Sequence, residues 1–537
     1  MHVLRLASLL PLVVAACAAP ATITGWPQGA GPDGDWTAQG EAPPLRFSGT
    51  TGRNIRWRTP LPETGQGGIA VQNGRVFVAT LSPWTGAGLS EADASKYAHA
   101  IEKREVVGKH IDAHCLDADT GAILWTRRIA GEVPSIYSYP FSDATSASPC
   151  ADDQHVWFTN AGGTVTCFTH DGAQVWTRTF TPTFDGPFNK QFEPFLVPDP
   201  HRGEDARTLV HMEPFAVEGR DKPWNLLVGL DAATGAELWR SEDALTHYNA
   251  PTLVTTASGP CALHGRGGPH AVPERPVGLS LTRLTGPDAG RAVWRYEDPR
   301  GNHEAALQTM AADDRFAYWL LKQPRNLLVV LDVATGEPRG EISLTDGVSL
   351  REHDDPAATT TTLERGVFPI RYSMHAANGR VYFQCYATAW GKPTLGAPWC
   401  VAAIDPDPDT DRSPVVFYRE LPTSYDHDDD GLRWREKLSA KAVNSRGEEV
   451  TGDPRSRWDG WDWVFNGSPT RVNDHLYFTM ATGIVYVVDA SGDDHPQLVA
   501  INDLGPLGET WTANSVSYAA GLLFHRTARE LLCIGER

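Results

Sequence analysis

The feature of this sequence that most constrains its fold is a hairpin that recurs along the chain. Two near-identical copies, Leu116–Trp125 and Leu230–Trp239, share the pattern Asp-x-x-Thr-Gly-x-x-x-Trp. In each copy a strand ends at Asp, whose carboxylate can accept backbone N–H groups of the turn, and Gly allows the tight reversal. The next strand carries Trp, a large plate suited to covering the edge between neighbouring sheets. Partial copies occur at Thr169–Trp176, Arg291–Trp294, Leu331–Pro338 and Val488–Gly492. Such recurrence predicts a repeat architecture.

A second pattern precedes most of these hairpins: a turn followed by a strand of alternating apolar residues. Examples are Asn73–Val78, Asp153–Phe158, Asn378–Phe383 and Asn473–Phe478. Asn-Gly followed by such alternation is a strong hairpin signal. The two patterns together give four antiparallel strands per unit, which is the content of one propeller blade.

Counting these units predicts an all-β fold, an eight-bladed β-propeller over residues 51–537. The inner turns of the blades are expected near Gly74, Asp153, Gly203, Ser258, Asp314, Gly379, Asp474 and Ala520. The first Trp strand, Asn54–Arg58, has no hairpin before it, and the last unit, Tyr518–Gly535, ends before a Trp strand. We therefore expect the N- and C-terminal strands to pair and close the ring, which removes exposed sheet edges.

Several long insertions interrupt the repeats, at residues 81–111, 181–224, 261–277 and 418–463. The first predicts a helix from Ala92 to Val107 capped by Ser90. Insertions on one face of a propeller are where a binding site is usually built, although they can equally be decoration.

The N-terminus predicts export. Residues 1–18 have one basic residue followed by the apolar run Leu6–Ala16, as in a signal peptide. Val14–Cys17 is similar to a lipobox, which would lipidate Cys17, although simple cleavage and secretion fit as well. Residues 19–50 then form an N-terminal segment. No later stretch predicts a membrane span, so we expect an extracytoplasmic bacterial protein that reaches a membrane only through a lipid.

Charge and cysteine content exclude several classes. The net charge of -19 repels phosphate backbones, so nucleic-acid binding is not expected. Beyond Cys17 the cysteines are odd in number and include no Cys-x-x-Cys, so we predict buried thiols rather than a disulfide framework. They are Cys115, Cys150, Cys167, Cys261, Cys385, Cys400 and Cys533.

The recurring hairpins with the pattern Asp-x-x-Thr-Gly-x-x-x-Trp, which we call the docking hairpins, resemble the tryptophan-docking motif of quinoprotein-like propellers with PQQ-like repeats. The resemblance extends over residues 26–537. That superfamily includes PQQ-dependent alcohol dehydrogenases and an outer-membrane assembly scaffold lipoprotein, so the resemblance implies a fold more than an activity. The dehydrogenases carry adjacent cysteines over the quinone, and this chain has no Cys-Cys pair. Their Asp base and calcium ligands also find no matching motif here. PQQ is therefore not expected.

One set of polar residues falls at a common position, just before the innermost strands, and would ring one mouth of the central channel. Such a funnel could bind a divalent cation or a basic ligand, or provide acid and base groups, or be merely a wet channel mouth. The candidates are Glu63, Asp143, His303 and Glu509, with Glu304, Asp462 and Asn466 as neighbours.

Two further motifs are weaker. Asp426, Asp428 and Asp430 precede Gly431 as in a calcium loop, but the twelfth position holds Lys437 rather than Glu, so a solvated acidic loop is the alternative. Residues 247–249 and 264–270 combine His, Arg and Tyr, the side chains that a polysaccharide lyase uses to neutralise a uronate and abstract a proton. The sequence favours a binding or scaffold protein for a protein or carbohydrate ligand; the alternative is a divergent quinoprotein dehydrogenase or lyase-type enzyme using the funnel.

Overall fold

The structure is a computed structural model, and it describes most of the chain from Gly25 onward. The described residues are 25–536 except for 85–87, 104–105, 137–144, 146, 183–192, 217, 220–222, 246–248, 258, 268–276, 301–308, 322–325, 345–348, 352–360, 363–367, 387–398, 408–415, 422–426, 429–430, 433–442, 451–466, 493–495 and 507–508.

Eight antiparallel sheets form the blades of a propeller, as predicted. From the innermost to the outermost strand, blades 1 to 4 are Ala70–Gln72, Arg75–Leu81, Ile111–Asp117 and Ile123–Ile129; Cys150–Ala151, His155–Asn160, Thr164–Thr169 and Gln174–Thr179; Phe195–Pro198, Arg207–Phe215, Trp224–Asp231 and Glu237–Ala244; Thr252–Thr256, Gly259–Arg266, Gly278–Arg283 and Ala292–Glu297. Blades 5 to 8 are Ala311–Ala312, Phe316–Leu321, Leu327–Asp332 and Pro338–Ser343; Phe368–Ala377, Arg380–Tyr386, Trp399–Ile404 and Val416–Leu421; Thr470–Val472, His475–Thr479, Ile484–Asp489 and Gln497–Asp503; Ser517–Ala519, Leu522–Arg526, Glu530–Ile534 and Ile55–Pro60.

The remaining elements are short. Ser349–Arg351 and Thr361–Thr362 extend the sheet of blade 6, and Thr37–Ala38 extends that of blade 7. Two small ribbons pair Val106–Gly108 with Ser135–Ile136 and His427–Asp428 with Gly431–Leu432. Two helices, Glu91–Lys96 and Ala98–Glu102, lie in the first insertion. Neither has the length or the hydropathy needed to cross a bilayer.

The ring closes where the sequence predicts. Ile55–Pro60 is the outermost strand of blade 8 and pairs antiparallel with Glu530–Ile534, with Trp57 directly opposite Cys533. All eight predicted inner turns lie between the first and second strands of their blades. The predicted single helix is wrong in its extent. Ser90 does cap it, but it ends at Lys96, a second short helix follows, and Val106 begins a strand.

A repeated Trp joins one blade to the next at four of the seams between described residues. The indole N–H of Trp57, Trp125, Trp176 and Trp294 donates to a carbonyl in the hairpin of the following blade, at Ala118, His170, Ala232 and Val333, over 2.7–2.9 Å. Each acceptor is the residue after the strand-ending position, at which Asp117, Asp231 and Asp332 stand. These four seams at the outer edge of the ring therefore share one repeated contact, whereas the indole Nε1 of Trp239 is buried without a hydrogen-bond partner.

The Gly of the motif is required by this contact. Gly121, Gly172, Gly235 and Gly336 all have φ between 72° and 80°, and a methyl group on any of them would strike the docked indole ring. The Asp carboxylate holds the turn: Oδ1 of Asp117 accepts the Thr120 N–H at 2.9 Å and the Thr120 hydroxyl at 2.8 Å. The hydrogen bond from the Thr120 hydroxyl lowers the pKa of Asp117 most, and the hydrogen bond from the Thr120 N–H lowers it further.

A β-bulge lies beside each docking Trp and determines which residue of the neighbouring strand stands opposite the indole. Cys115, Cys167 and Cys533 are the strand partners of Trp125, Trp176 and Trp57, and Gly229 faces Trp239. Leu281 faces Trp294 in the same way, so small and larger side chains both occur at this position. These thiols are buried and free, as predicted, and burial raises the pKa of each to about 12. Cys150 and Cys261 are also buried and free, and Cys385 is buried.

Candidate functional site

The two faces of the ring differ. The turns between the first and second strands, and between the third and fourth, lie on one face, which we call the turn face. The connections between blades and those between second and third strands lie on the other, the insertion face. The long connections at 82–110, 181–194 and 422–469 are of these two kinds, so their ends lie on the insertion face. The predicted insertion at 181–224 is wrong in its extent, because residues 195–215 contain the two inner strands of blade 3.

A segment of the N-terminus fills the central channel from the turn face. We call residues 25–41 the channel plug. Trp26 pairs with Val71 of blade 1, with N–O distances of 2.8 and 2.7 Å, and the carbonyl of Pro27 accepts the Ala151 N–H of blade 2 at 2.7 Å. The Gln28 Oε1 accepts the Leu196 N–H of blade 3. The plug thus satisfies backbone groups on the inner strands of successive blades.

The second half of the plug returns along the opposite wall. The carbonyl of Gly34 accepts the Leu253 N–H of blade 4 at 3.0 Å. Thr37–Ala38 then runs parallel to the inner strand of blade 7, and the Trp36 carbonyl accepts the Arg471 N–H at 2.8 Å. The Tyr518 hydroxyl of blade 8 donates to the Glu41 carbonyl at 2.7 Å. The plug is therefore a hairpin that enters and leaves by the turn face.

The plug has its own packed interior. The side chains of Trp26 and Trp36 are 0% and 4% exposed. The indole N–H of Trp26 donates to the Gly29 carbonyl at 3.1 Å, and its ring lies against Gly31, which has φ 83°. Trp36 has φ 61°, a strained value for a bulky residue. Tertiary contacts hold this segment in a conformation that its local sequence does not favour.

Hydroxyl groups join neighbouring blades along the channel wall. Thr252, Thr470 and Ser517 each stand first in an inner strand and donate to the carbonyl that precedes the inner strand of the next blade. The acceptors are Met310, Val516 and Ile69, at 2.6, 2.7 and 3.3 Å. The sequence interpretation missed these residues; their only signal is a Ser or Thr shortly before the inner turn.

One buried carboxyl meets the tip of the plug. The Glu193 Oε2 has no hydrogen-bond partner and is inaccessible to solvent, although the residue as a whole is half-buried. Its neighbours are Gly29 of the plug and Ser148 of blade 2, whose Oγ accepts the Gly68 N–H at 2.6 Å. Burial raises the pKa of Glu193 to about 7, against a smaller lowering by Ser148. The sequence interpretation also missed this residue, because burial is invisible in the sequence.

Of the predicted funnel residues, Glu63 is described in full. It is completely buried on the insertion face. Its Oε2 accepts a bond from Arg446 at 2.5 Å, and its Oε1 one from Asn444 at 3.2 Å. Arg446 also donates to the Pro62 carbonyl, and Ser445 to the Leu61 carbonyl. Residues 443–450 of the insertion between blades 6 and 7 thus attach to the strand that closes the ring, with Glu63 as the anchor.

Glu509 is also on the insertion face but is exposed. It pairs with Arg529 at 3.3 Å, and its side chain is 62% accessible. Within the described residues, the carboxylates of Glu63 and Glu509 therefore have separate partners and do not form a shared site. Asp143, His303, Glu304, Asp462 and Asn466 lie outside the described residues.

The remaining candidates are described in part or not at all. Cys17, Asp426 and Asp430 lie outside the described residues; Asp428 is described only through its backbone pairing with Gly431. The described part of the chain holds no group of three His, Cys, Asp or Glu side chains suited to a metal. His264 is buried, with its ring nitrogens near the Thr282 hydroxyl and the Gly265 carbonyl, and burial lowers its pKa. Its position is that of a neutral core histidine.

Comparison with known proteins agrees with this architecture. A family model described as outer membrane protein assembly factor BamB matches residues 45–199 and 109–258. The solved quinohemoprotein alcohol dehydrogenase from Comamonas testosteroni is similar, with a TM-score of 0.51 and 11% identity, covering 96% of this chain and 81% of that chain. BamB from Moraxella catarrhalis gives a TM-score of 0.41 and 12% identity, covering 89% of this chain and 96% of that chain. No curated protein sequence matches this chain.

The matched residues contain the closing strand and the first blades, where the docking hairpins are most regular. The family model is named for an assembly factor and the dehydrogenase from Comamonas testosteroni is an enzyme, so the likeness concerns architecture and not activity. With its docked tryptophans and closed ring of eight blades, the chain is an eight-bladed β-propeller, and its residues 45–258 are similar to the PQQ-like repeats of this family.

Proposed function

We propose that this protein is an extracytoplasmic binding or scaffold protein that presents its insertion face to a protein or carbohydrate ligand. The observation that carries the proposal is the plug. Residues 25–41 occupy the channel from the turn face and bond to the inner strands of blades 1, 2, 3, 4 and 7. A channel used for catalysis needs room for substrate beside its reactive groups.

The state of Glu63 supports the same proposal. A general base must be able to reach a proton on its substrate. The Glu63 carboxylate is instead fully buried and bonded to Arg446 and Asn444. Its role here is to hold part of an insertion in place, as a presenting surface requires.

Location and anchoring belong to the proposal as well. The signal-like residues 1–18 and the family model named for outer-membrane assembly support an extracytoplasmic protein. A lipid on Cys17 and a calcium ion at Asp426, Asp428 and Asp430 are further parts of it, to be tested by intact mass and by metal analysis.

The first test asks whether the protein is a quinoprotein. Native mass spectrometry of the purified chain, with and without added PQQ and Ca²⁺, should show no retained quinone. Dye-linked oxidation of primary alcohols should stay at the level of buffer. Retention of one PQQ per chain would contradict the proposal and support the dehydrogenase alternative.

The second test asks which face binds. A photo-crosslinking residue at Ala94, exposed in the first insertion, is compared with one at Asp474, which is 55% exposed on the turn face. We expect a discrete crosslinked product in cells from Ala94 and none from Asp474. The reverse pattern would overturn the assignment of the insertion face.

A further inference from the structure

The contact between the plug tip and the channel wall contains one ionisable group that no cation of the described residues compensates. Glu193 lies against Gly29, and a methyl group at Gly29 would overlap its carboxyl group. Ser148 is the polar side chain beside it. Ionised, this carboxyl would be a buried charge whose Oε2 has no partner.

The charged and titratable groups nearby do not change this conclusion. Blade 2 contributes Cys150, whose thiol donates to the Pro194 carbonyl and whose pKa burial raises well above its usual value. Blade 1 contributes Gly68, and the acids of the plug itself are Asp33, Asp35 and Glu41. Within the described residues no cation contacts Glu193.

We propose that Glu193 is a proton-controlled latch for the plug: the neutral carboxyl lets Gly29 seat against blades 2 and 3, and ionisation loosens the plug tip. The strained backbone of Trp36 makes the seated conformation depend on such contacts. A loosened plug would expose the inner strands Ala70–Gln72 and Thr470–Val472, whose backbone groups it now pairs. The inference concerns the plug alone and does not depend on the ligand of the insertion face.

The direction of the pH effect follows from linkage. The pKa of Glu193 is about 7 with the plug seated, and a released carboxyl returns towards its ordinary value of 4.5. The seated form therefore binds the proton more tightly, and its advantage is lost as pH rises from 4.5 through 7. Above pH 7 no further change is expected.

Hydrogen exchange of the full chain tests the latch. The readout is the protection of the Trp36, Val71 and Arg471 amides, after correction for intrinsic exchange, with Tyr486 of blade 7 as a reference. In the wild-type protein we expect plug protection to fall about 50-fold between pH 5 and 7.5 and to level off above that. In Glu193→Gln, which is neutral at every pH, the fall should disappear.

Two further variants separate the latch from general effects. Glu509→Gln removes an exposed carboxylate elsewhere on the ring and should keep the wild-type curve. Ser148→Ala removes the hydroxyl that favours the ionised form and should move the midpoint to higher pH. A pH-independent wild-type plug, or a Glu193→Gln curve that follows the wild type, would overturn the proposal.

Discussion

The seams between blades 1 and 2 and between blades 7 and 8 are joined by different chemistry. At the first seam, Trp125 docks on the next hairpin, with its N–H bonded to the His170 carbonyl at 2.7 Å. At the second, Ala500 stands at the corresponding position beside the β-bulge, so no Trp is available. Gly340 likewise occupies this position in blade 5.

The seam without Trp is joined by the N-terminal segment and by polar side chains. Phe47 is buried in the same cluster as Ala500, and its N–H bonds to the Asn502 side chain of blade 7 at 2.9 Å. Across this seam Thr470 bonds to the Val516 carbonyl, and Thr479 to the His525 ring at 3.2 Å. In place of a docked Trp, this seam has several buried polar contacts and the ring of Phe47, which comes from the N-terminal segment.

This difference teaches that a closed ring does not require the same contact at every seam. A docking Trp contributes no titratable group of its own to a seam. A seam built on histidine and hydroxyl groups depends on their protonation and pairing. The two seams should therefore respond differently to mutation and to acid.

The largest effect is expected from Trp125→Ala. This change removes a side chain that is 8% exposed and leaves the His170 carbonyl without its donor. We expect the free energy of unfolding, measured with urea, to fall by about 3–5 kcal/mol. Val175→Ala, at a side chain 46% exposed on the neighbouring outer strand, should change it by less than about 0.5 kcal/mol. Equal effects of the two changes would refute the docking argument.

Phe47→Ala tests whether the N-terminal segment takes the place of a docking Trp. Phe47 is 3% exposed, so its truncation should cost about 3 kcal/mol. If the N-terminal segment is instead a dispensable tail, Phe47→Ala will leave the free energy of unfolding in urea unchanged. That outcome would leave the seam between blades 7 and 8 without an apolar lock.

Gly235→Ala examines the fit between hairpin and indole. The residue has φ 74°, and the added methyl would lie 2.7 Å from the Trp176 ring. We expect a loss of about 2–3 kcal/mol by thermal or urea unfolding. Gly74→Ala is the matched control, because Gly74 has φ 70° with open space around it and should show only the backbone cost of about 1 kcal/mol. Identical losses would mean that docking does not require the Gly.

His525→Gln probes the pH dependence of the seam without Trp. Burial lowers the pKa of His525 to about 4, below its ordinary 6.5, so the unfolded chain takes up the proton first. Stability is then fully present above pH 6.5 and is lost as pH falls towards 4. Between pH 6.5 and 4.5 the variant should lose about 2 kcal/mol less than the wild type. His475→Gln, at a half-buried histidine on the same blade pair, serves as control, and an unchanged acid slope in His525→Gln would contradict the assignment.

Thr470→Val should have the smallest effect. It keeps the shape of the side chain but leaves the Val516 carbonyl without its 2.7 Å donor. We expect a loss of about 1–2 kcal/mol. Thr256→Val, on the inner strand of blade 4 where the hydroxyl bonds within its own blade, is the comparison. If both variants match the wild type, the hydroxyls of the channel wall do not join the blades.

The docking half of this comparison could be predicted from the sequence and the polar half could not. The Asp, Gly and Trp of the hairpins recur at fixed spacing because one geometry is repeated, so the pattern predicts the contact. Phe47 lies outside the repeats and His525 is not part of the repeated motif, and each acts at its seam through contacts made by folding. The predicted funnel shows the same limit: the register places Glu63 and Glu509 on one face, but only the packing of Arg446 buries the first and leaves the second exposed.

By itself, the sequence determined the number of blades, their turns, the docking of Trp on Gly and the meeting of Trp57 with Cys533. These are consequences of local periodicity and turn chemistry, which a chain carries wherever it folds. Only the tertiary structure decided that residues 25–41 fill the channel and that Glu193 is buried beneath them. The plug is a Gly-rich segment held by hydrogen bonds to the backbone of residues more than a hundred positions away, such as Leu196 and Arg471, and no local pattern encodes such partners.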